Sequence, residues 1–277
     1  MLQVGKINHL QVSRIMPYGV FLTDEENNQV LLPNSHTPDG VAEDQWLDVF
    51  VYHDAEGNLM ASSDKPKVQL NQCAFLNVVA VRPIGAFLDW GIEKDLFVAK
   101  NQQEVTMQEG QKYVVYVYLD RQTGRIAASS KLYEYLEEES FDFKVDQQVD
   151  LLISNRTDMG YKAVINGTHL GLIFKDEVFK PIKIGQQIKG YIRNVREDGL
   201  IDLSLQLHNA EGRNDLGSQI IAHLQQNDGV SVLTDKSNPN DIYKVFNVSK
   251  GAYKKALGLL YKQKRIMITK DKVQLLN

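Results

Sequence analysis

A chain that repeats itself folds as a series of like units, and this one repeats three times. Gly19, Gly85 and Gly160 stand 66 and 75 residues apart, and Gln45, Gln111 and Gln186 keep the same two intervals. A third set, Gly57, Gly124 and Gly199, is spaced 67 and 75, within "HDAEGNLMASS", "LDRQTGRIAASS" and "VREDGLIDLSL". Three units therefore share one internal ruler. The nine extra residues before the third unit fall in "KLYEYLEEESFDF" at 131–143, read as a short helix and linker.

Each unit is a run of short segments rich in Val, Ile, Phe and Tyr, punctuated by Gly, Asp and Asn, which is the signature of strands and turns. In the second unit these are "AFLNVVAVR", "AFLDWG", "KDLFVA", "KYVVYVYLD" and "RIAASS". Five strands in about 65 residues bury enough surface only if the sheet closes on itself, so a small barrel is expected. The stretches "PYGVFLTD" at 17–24 and "PIGAFLDW" at 83–90 place a turn before the second strand. Pro17 presets the turn backbone and Gly19 is expected to supply a positive φ. Beyond it Val20 and Leu22 face one way and Phe21 the other, as Ala86 and Leu88 do against Phe87. Alternation alone allows either set to be the core. The aliphatic pair suits a tightly curved interior, which would leave the phenylalanines outside, beside Tyr18.

Past Leu207 the period stops. "LGSQIIAHLQQN" has helical apolar spacing, "SNPNDIYKVF" offers a Ser or Asn cap with Pro239 opening a helix, and Ser249 caps "SKGAYKKALGLLYK". "KRIMITKDKVQLL" reads as a hairpin. Three short helices and a hairpin outline a winged helix. On its last helix Ala252, Tyr253, Ala256, Leu257 and Leu260 form a core-facing stripe. Lys250, Lys254, Lys255, Gly258, Tyr261 and Lys262 lie opposite.

The opening "VGKINHLQVSRIMPYGVFL", the fourth strand entered through "GQ" and the closing "D-x-x-x-G-R-I-x-x-S-x-K" resemble the S1-type RNA-binding domain, a five-stranded OB-fold. That resemblance implies a mainly β chain with a C-terminal α+β domain: three tandem S1-type barrels at 1–66, 67–131 and 144–210, a linker helix at 132–143, and a winged helix at 211–277. It also implies RNA-contacting positions. In the first unit these are Tyr18, Phe21 and Asp54, with Pro33 and Asn58 departing from the pattern. In the second they are Phe87, Asp120 and Arg125, with Ile84 and Val98 departing. The third offers Met159, Lys162 and Phe174, with Val195 and Leu200 at the last pair. The whole arrangement is similar to the bacterial family called conserved virulence factor B, through "DIYKVFNVSKGAYKKALGLLYKQKRI" above all. Membership implies an RNA-binding regulator that acts after transcription.

Charge is distributed unevenly. Residues 1–143 hold 11 Lys and Arg against 21 Asp and Glu, residues 144–212 hold 9 against 9, and residues 213–277 hold 11 against 5. A polyanion responds to the local field, so the total of −4 understates the C-terminal end. Phosphate contacts are expected from Lys162, Arg193, Arg196, Lys250, Lys254, Lys255, Lys262, Lys264 and Arg265, with Tyr261 on the same face, and base stacking from the barrels. The expected partner is single-stranded RNA, with the ribosome or RNA-processing proteins as further candidates and no small-molecule substrate.

Other classes find less support. No phosphate-loop, dinucleotide, H-E-x-x-H, C-x-x-C or G-x-S-x-G motif occurs, and the six histidines lack metal-ligand spacing, so neither catalysis, nor a cofactor, nor a metal is expected. The single cysteine, Cys73, rules out an internal disulfide and reads as a buried thiol. No apolar run spans a membrane and no signal peptide is evident, so the cytoplasm is the expected location. Two alternatives stand: a DNA-binding regulator acting through the winged helix, and a protein-interaction scaffold on the ribosome or RNA polymerase.

Overall fold

The structure is a computed structural model of the 277-residue chain. It describes residues 1–54, 56–178, 181–207 and 210–276. The chain forms two bodies, Met1–Tyr135 and Leu136–Asn277. The first holds two five-stranded barrels: β1 (Ile7–Met16), β2 (Gly19–Thr23), β3 (Gln29–Pro33), β4 (Trp46–His53) and β5 (Leu59–Ser62), then β6 (Cys73–Arg82), β7 (Gly85–Asp89), β8 (Leu96–Ala99), β9 (Lys112–Leu119) and β10 (Ile126–Ser129). The second body holds a third barrel, β11 (Gln148–Arg156), β12 (Gly160–Ile165), β13 (His169–Phe174), β14 (Gln187–Val195) and β15 (Ile201–Ser204).

Barrels one and three close through a parallel pairing of their third and fifth strands, Leu31 with Met60 and Leu172 with Asp202. In barrel two the sheet runs β10-β9-β6-β7-β8, and β8 and β10 lie side by side without a hydrogen-bonded ladder.

The repeated residues have identifiable jobs. Gly19 and Gly160 have φ of +158°, positive as expected for Gly19 and rarely adopted by residues that carry a side chain, whereas Gly85 does not share it. What all three share is close approach. A Cβ on Gly19 would lie 2.5 Å from the Leu32 carbonyl oxygen, on Gly85 2.2 Å from that of Val98, and on Gly160 1.9 Å from that of Ile173. Each glycine lets the start of the second strand press against the third. Replacing Gly160 by alanine is therefore expected to force β12 and β13 apart and cost about 1–3 kcal/mol or more. A lowered melting transition for the third barrel checks this, and an unchanged one would refute it. Gly57, Gly124 and Gly199, at φ +93°, +67° and +82°, are the true left-handed positions, one in each last hairpin.

Each glutamine of the ruler sits at the entrance to the fourth strand. The carbonyls of Gln45, Gln111 and Gln186 accept hydrogen bonds from the N–H groups of Val12, Val78 and Ile153 at 2.8, 2.9 and 3.0 Å. In each barrel the first strand then bulges by one residue and curls around the core. Where the bulged residue is Ser13 or Ser154, its hydroxyl donates across the gap to the carbonyl of Phe21 or Lys162.

Alternation resolves as the aliphatic reading requires. Val20, Leu22, Ala86 and Leu88 are buried, while Phe21 and Phe87 lie half-buried on the outer faces. Alternation fails on β4, where Val49, Phe50, Val51 and Tyr52 are all buried. The outward pair Phe50 and Tyr52 packs into the core of barrel two, Phe50 lying edge-on to Trp90 at 5.3 Å. Barrels one and two thus share apolar surface. Cys73 is half-buried, and desolvation pushes its thiol up to about 12.

The expected linker helix is not formed. Residues 132–143 contain one 3₁₀ turn, Leu132–Glu134, and then an extended segment whose Glu137 and Glu139 bridge to His169 and Leu200 of the third barrel. In a helix Glu134 would face Glu137 and Glu138 three and four residues on and repel them, whereas the starts of β13 and β15, beyond their short parallel pairing, offer backbone partners.

The last domain comprises α1 (Ala210–Gln226), β16 (Val230–Ser231), α2 (Pro239–Phe246), α3 (Lys250–Lys262), β17 (Ile266–Ile268) and β18 (Val273–Leu275). Asn238 caps α2 through the Asn240 N–H with Pro239 at its first turn, left-handed Asn247 ends it, and Ser249 caps α3 through the Ala252 N–H. Tyr253, Ala256, Leu257 and Leu260 enter the core, and the buried Tyr253 hydroxyl donates to the Leu233 carbonyl at 2.9 Å. No helix among the described residues is long and apolar enough to cross a membrane.

Candidate nucleic-acid interface

In barrel one the β1–β2 turn and the outer face of β2 bring Tyr18 and Phe21 together. Tyr18 is 55% exposed, and its ring meets that of Phe21 edge to face at 6.3 Å. Cross-strand register sets Arg14 opposite Phe21, and its guanidinium lies 4.7 Å from the ring centroid. Arg14 was absent from the sequence-predicted set, although counting back from the turn finds it. Asp54 serves its own hairpin. Its carboxylate accepts from the Asn58 side chain and from the N–H groups of Glu56 and Asn58, and the Asn58 amide first of all holds it below the usual carboxylate range.

Barrel two carries a groove of about 560 Å³ whose lining includes Ile84, Phe87, Lys94, Phe97, Tyr118 and Arg125. Phe97, on the neighbouring strand, lies 5.3 Å from Phe87 and is a second aromatic the sequence reading passed over. Tyr135 stacks on Tyr118 at 4.7 Å and on Tyr116 at 5.1 Å. Burial, and next the charge of Arg125, lower the Lys94 ammonium from its ordinary range. Asp120, like Asp54, turns onto its hairpin, accepting from the N–H groups of Gln122 and Thr123. Val98 does not hold the position equivalent to Pro33. Gly19 pairs with Pro33, Gly85 with Ala99 and Gly160 with Phe174, so the equivalent is Ala99, and Val98 points into the core.

Barrel three changes the chemistry of the same surface. The last-hairpin pairs are Asp54 with Asn58, Asp120 with Arg125 and Arg196 with Leu200. A bulge between Ile192 and Asn194 moves the count by one, so Arg196, not Val195, stands where the other barrels place an aspartate. Its guanidinium lies 5.5 Å from the Phe174 ring centroid and is tied to Asp202 at 2.7 and 2.9 Å. Met159, 57% exposed, and Lys162 join Arg196 around a groove of about 460 Å³. Arg156 and Lys175, absent from the predicted set, line a neighbouring recess. Arg193 is held elsewhere: it pairs at 3.0 Å with Glu177, a buried carboxylate that also accepts from the Ser204 hydroxyl.

On α3, Lys254, Lys255, Tyr261 and Lys262 are exposed, as are Lys264 and Arg265 just beyond it, whereas Lys250 is half-buried. Among the described residues none of these cations is paired with a carboxylate. The hairpin tip adds Lys270 and Lys272, both exposed. Gln206 clasps the start of α3: its side-chain amide donates to the Ser249 hydroxyl at 2.7 Å and its carbonyl oxygen accepts from the Ser249 N–H.

Comparison with known domains agrees with this geometry. Residues 4–64 and 72–131 match the S1 domain, and residues 218–275 match the CvfB-like winged helix domain. Tandem S1 domains and a winged helix define a chain of nucleic-acid-binding modules. Conserved virulence factor B of Staphylococcus epidermidis is 25% identical and that of Staphylococcus saprophyticus 26% identical, each covering 98% of this chain and 94% of its own length. The YitL protein of Bacillus subtilis is 28% identical over 93% of this chain and 88% of its own. In its domains and over nearly its whole length the chain matches the conserved virulence factor B family. A crystal structure described as a multidomain protein with nucleic acid binding domains, from Streptococcus pneumoniae, covers 99% of this chain and 98% of its own at 21% identity and a TM-score of 0.41.

Proposed function

We propose that this protein binds single-stranded RNA in the cytoplasm and regulates gene expression after transcription, acting by binding and not by catalysis. The observation that carries the reading is the Tyr18, Phe21 and Arg14 constellation: two outward rings with a cation beside them on a closed barrel. Such rings stack on unpaired bases, which present open π-faces that a duplex hides. The exposed lysines of α3 and the hairpin tip supply phosphate contacts. α3 carries no Arg, Asn or Gln, side chains that pair bidentately with base edges, so it is suited to a flexible strand more than to a specific major groove. The regulatory role rests on the family likeness, and the ribosome or RNA-processing proteins are its candidate protein partners.

Fluorescence anisotropy of the full chain with an unstructured RNA and with duplex DNA, at two salt concentrations, tests the reading. RNA affinity is expected to exceed duplex affinity and to fall steeply with salt. Equal or tighter binding to the duplex would favour a DNA-binding regulator instead. Release of nucleotides in the same mixture, with or without magnesium, would overturn binding as the sole activity.

A further inference from the structure

The three glutamates at 137–139 have no part in the interface so far. Their segment is stitched to the third barrel by its backbone: the Glu137 N–H donates to the Thr168 carbonyl at 3.1 Å, the Leu170 N–H to the Glu137 carbonyl at 2.8 Å, and the Ser140 N–H to the Gly199 carbonyl at 3.0 Å. Leu136 is buried at its start. Extended backbone turns successive side chains to opposite sides. Glu137 pairs with His169 at 3.1 Å, and Glu138 is directed into the groove, where its Oε1 lies 3.2 Å from the Lys162 Nζ.

We propose that Glu138 is a resident competitor for the RNA phosphate at Lys162, setting the affinity of the third barrel; this rests on the RNA-binding reading above. The two side chains are 44% and 39% exposed, so their ion pair contributes little to folding. Backbone hydrogen bonds place the carboxylate whether or not the pair forms. Lys162 therefore always has an anion at hand, in the same groove as Arg196, whose charge Asp202 already offsets. A phosphate arriving there must displace Glu138 or share the ammonium with it. Lys162 occupies the position of Phe21 and Phe87, so at this barrel a charge contest stands where the other two offer a ring.

The test is a cycle of Glu138→Gln, Lys162→Gln and the double variant in the full chain, each titrated with unstructured RNA over a range of salt. Glu138→Gln is expected to tighten binding about two- to fivefold and to steepen the slope of log affinity against log salt by roughly 0.7, as one more phosphate contact forms. In the Lys162→Gln background the same substitution should change neither. If it tightens binding equally in both backgrounds, the effect is general repulsion and the proposal fails. No change in Glu138→Gln while the wild-type chain binds RNA overturns the competition alone. No RNA binding by any of the four proteins overturns the RNA reading with it.

Discussion

Replacing Lys254, Lys255, Lys262 and Lys264 together by glutamine is expected to weaken RNA binding on the order of 100-fold at physiological salt. All four are exposed on or just beyond α3, and among the described residues none has a carboxylate partner, so each is available to a phosphate. Each contact to a single strand releases roughly 0.7 of a counterion, and four lost contacts flatten the log–log salt slope by about 3. The buried side of α3, Tyr253 to Leu260, is untouched, so the melting transition should not move. A variant that keeps the wild-type slope would place the phosphate track elsewhere. Arg193 belongs to another class, because its guanidinium is committed to the buried Glu177 carboxylate.

That distinction marks how far a sequence can be read. Barrel number, strand parity and the winged helix follow from periodicity and capping, which are local and repeat three times over. The facing of Phe21 and Phe87 followed from the aliphatic residues beside them. What could not be read was set by partners distant in the chain or by single-residue irregularities. The pairing of Arg193 with Glu177 depends on β14 passing the end of β13, which no spacing announces. One bulge in β14 shifted the third unit by a residue and concealed that Arg196 replaces an aspartate. The turn glycines were correctly singled out and half explained: Gly19 has the expected positive φ, but the approach of the third strand's carbonyl, which all three glycines share, could not be read from spacing. The glutamates at 137–139 suggest a solvated helix by composition, while backbone partners at the starts of β13 and β15 convert them into an extended strap.

Removing the barrel-one rings should weaken binding in a different way from removing the lysines. Tyr18→Ala with Phe21→Ala removes two stacking surfaces, each worth about 1–3 kcal/mol per base, so a loss on the order of 100-fold in RNA affinity is expected. No charge is removed, so the salt slope should stay at its wild-type value while the whole line drops. The fold should survive, since the core of this barrel is built from Leu10, Val12, Val20, Leu22, Val30 and Leu32, and both rings lie outside it. Arg14 would lose the ring beneath its guanidinium but keep its place opposite residue 21, still able to reach a phosphate. The two variants thus separate stacking from counterion release on one binding curve: the lysine substitutions change its slope and the aromatic ones its height. An aromatic variant that binds as the wild type does would move base recognition away from barrel one, leaving the Phe87 and Phe97 groove of barrel two as the next surface to test.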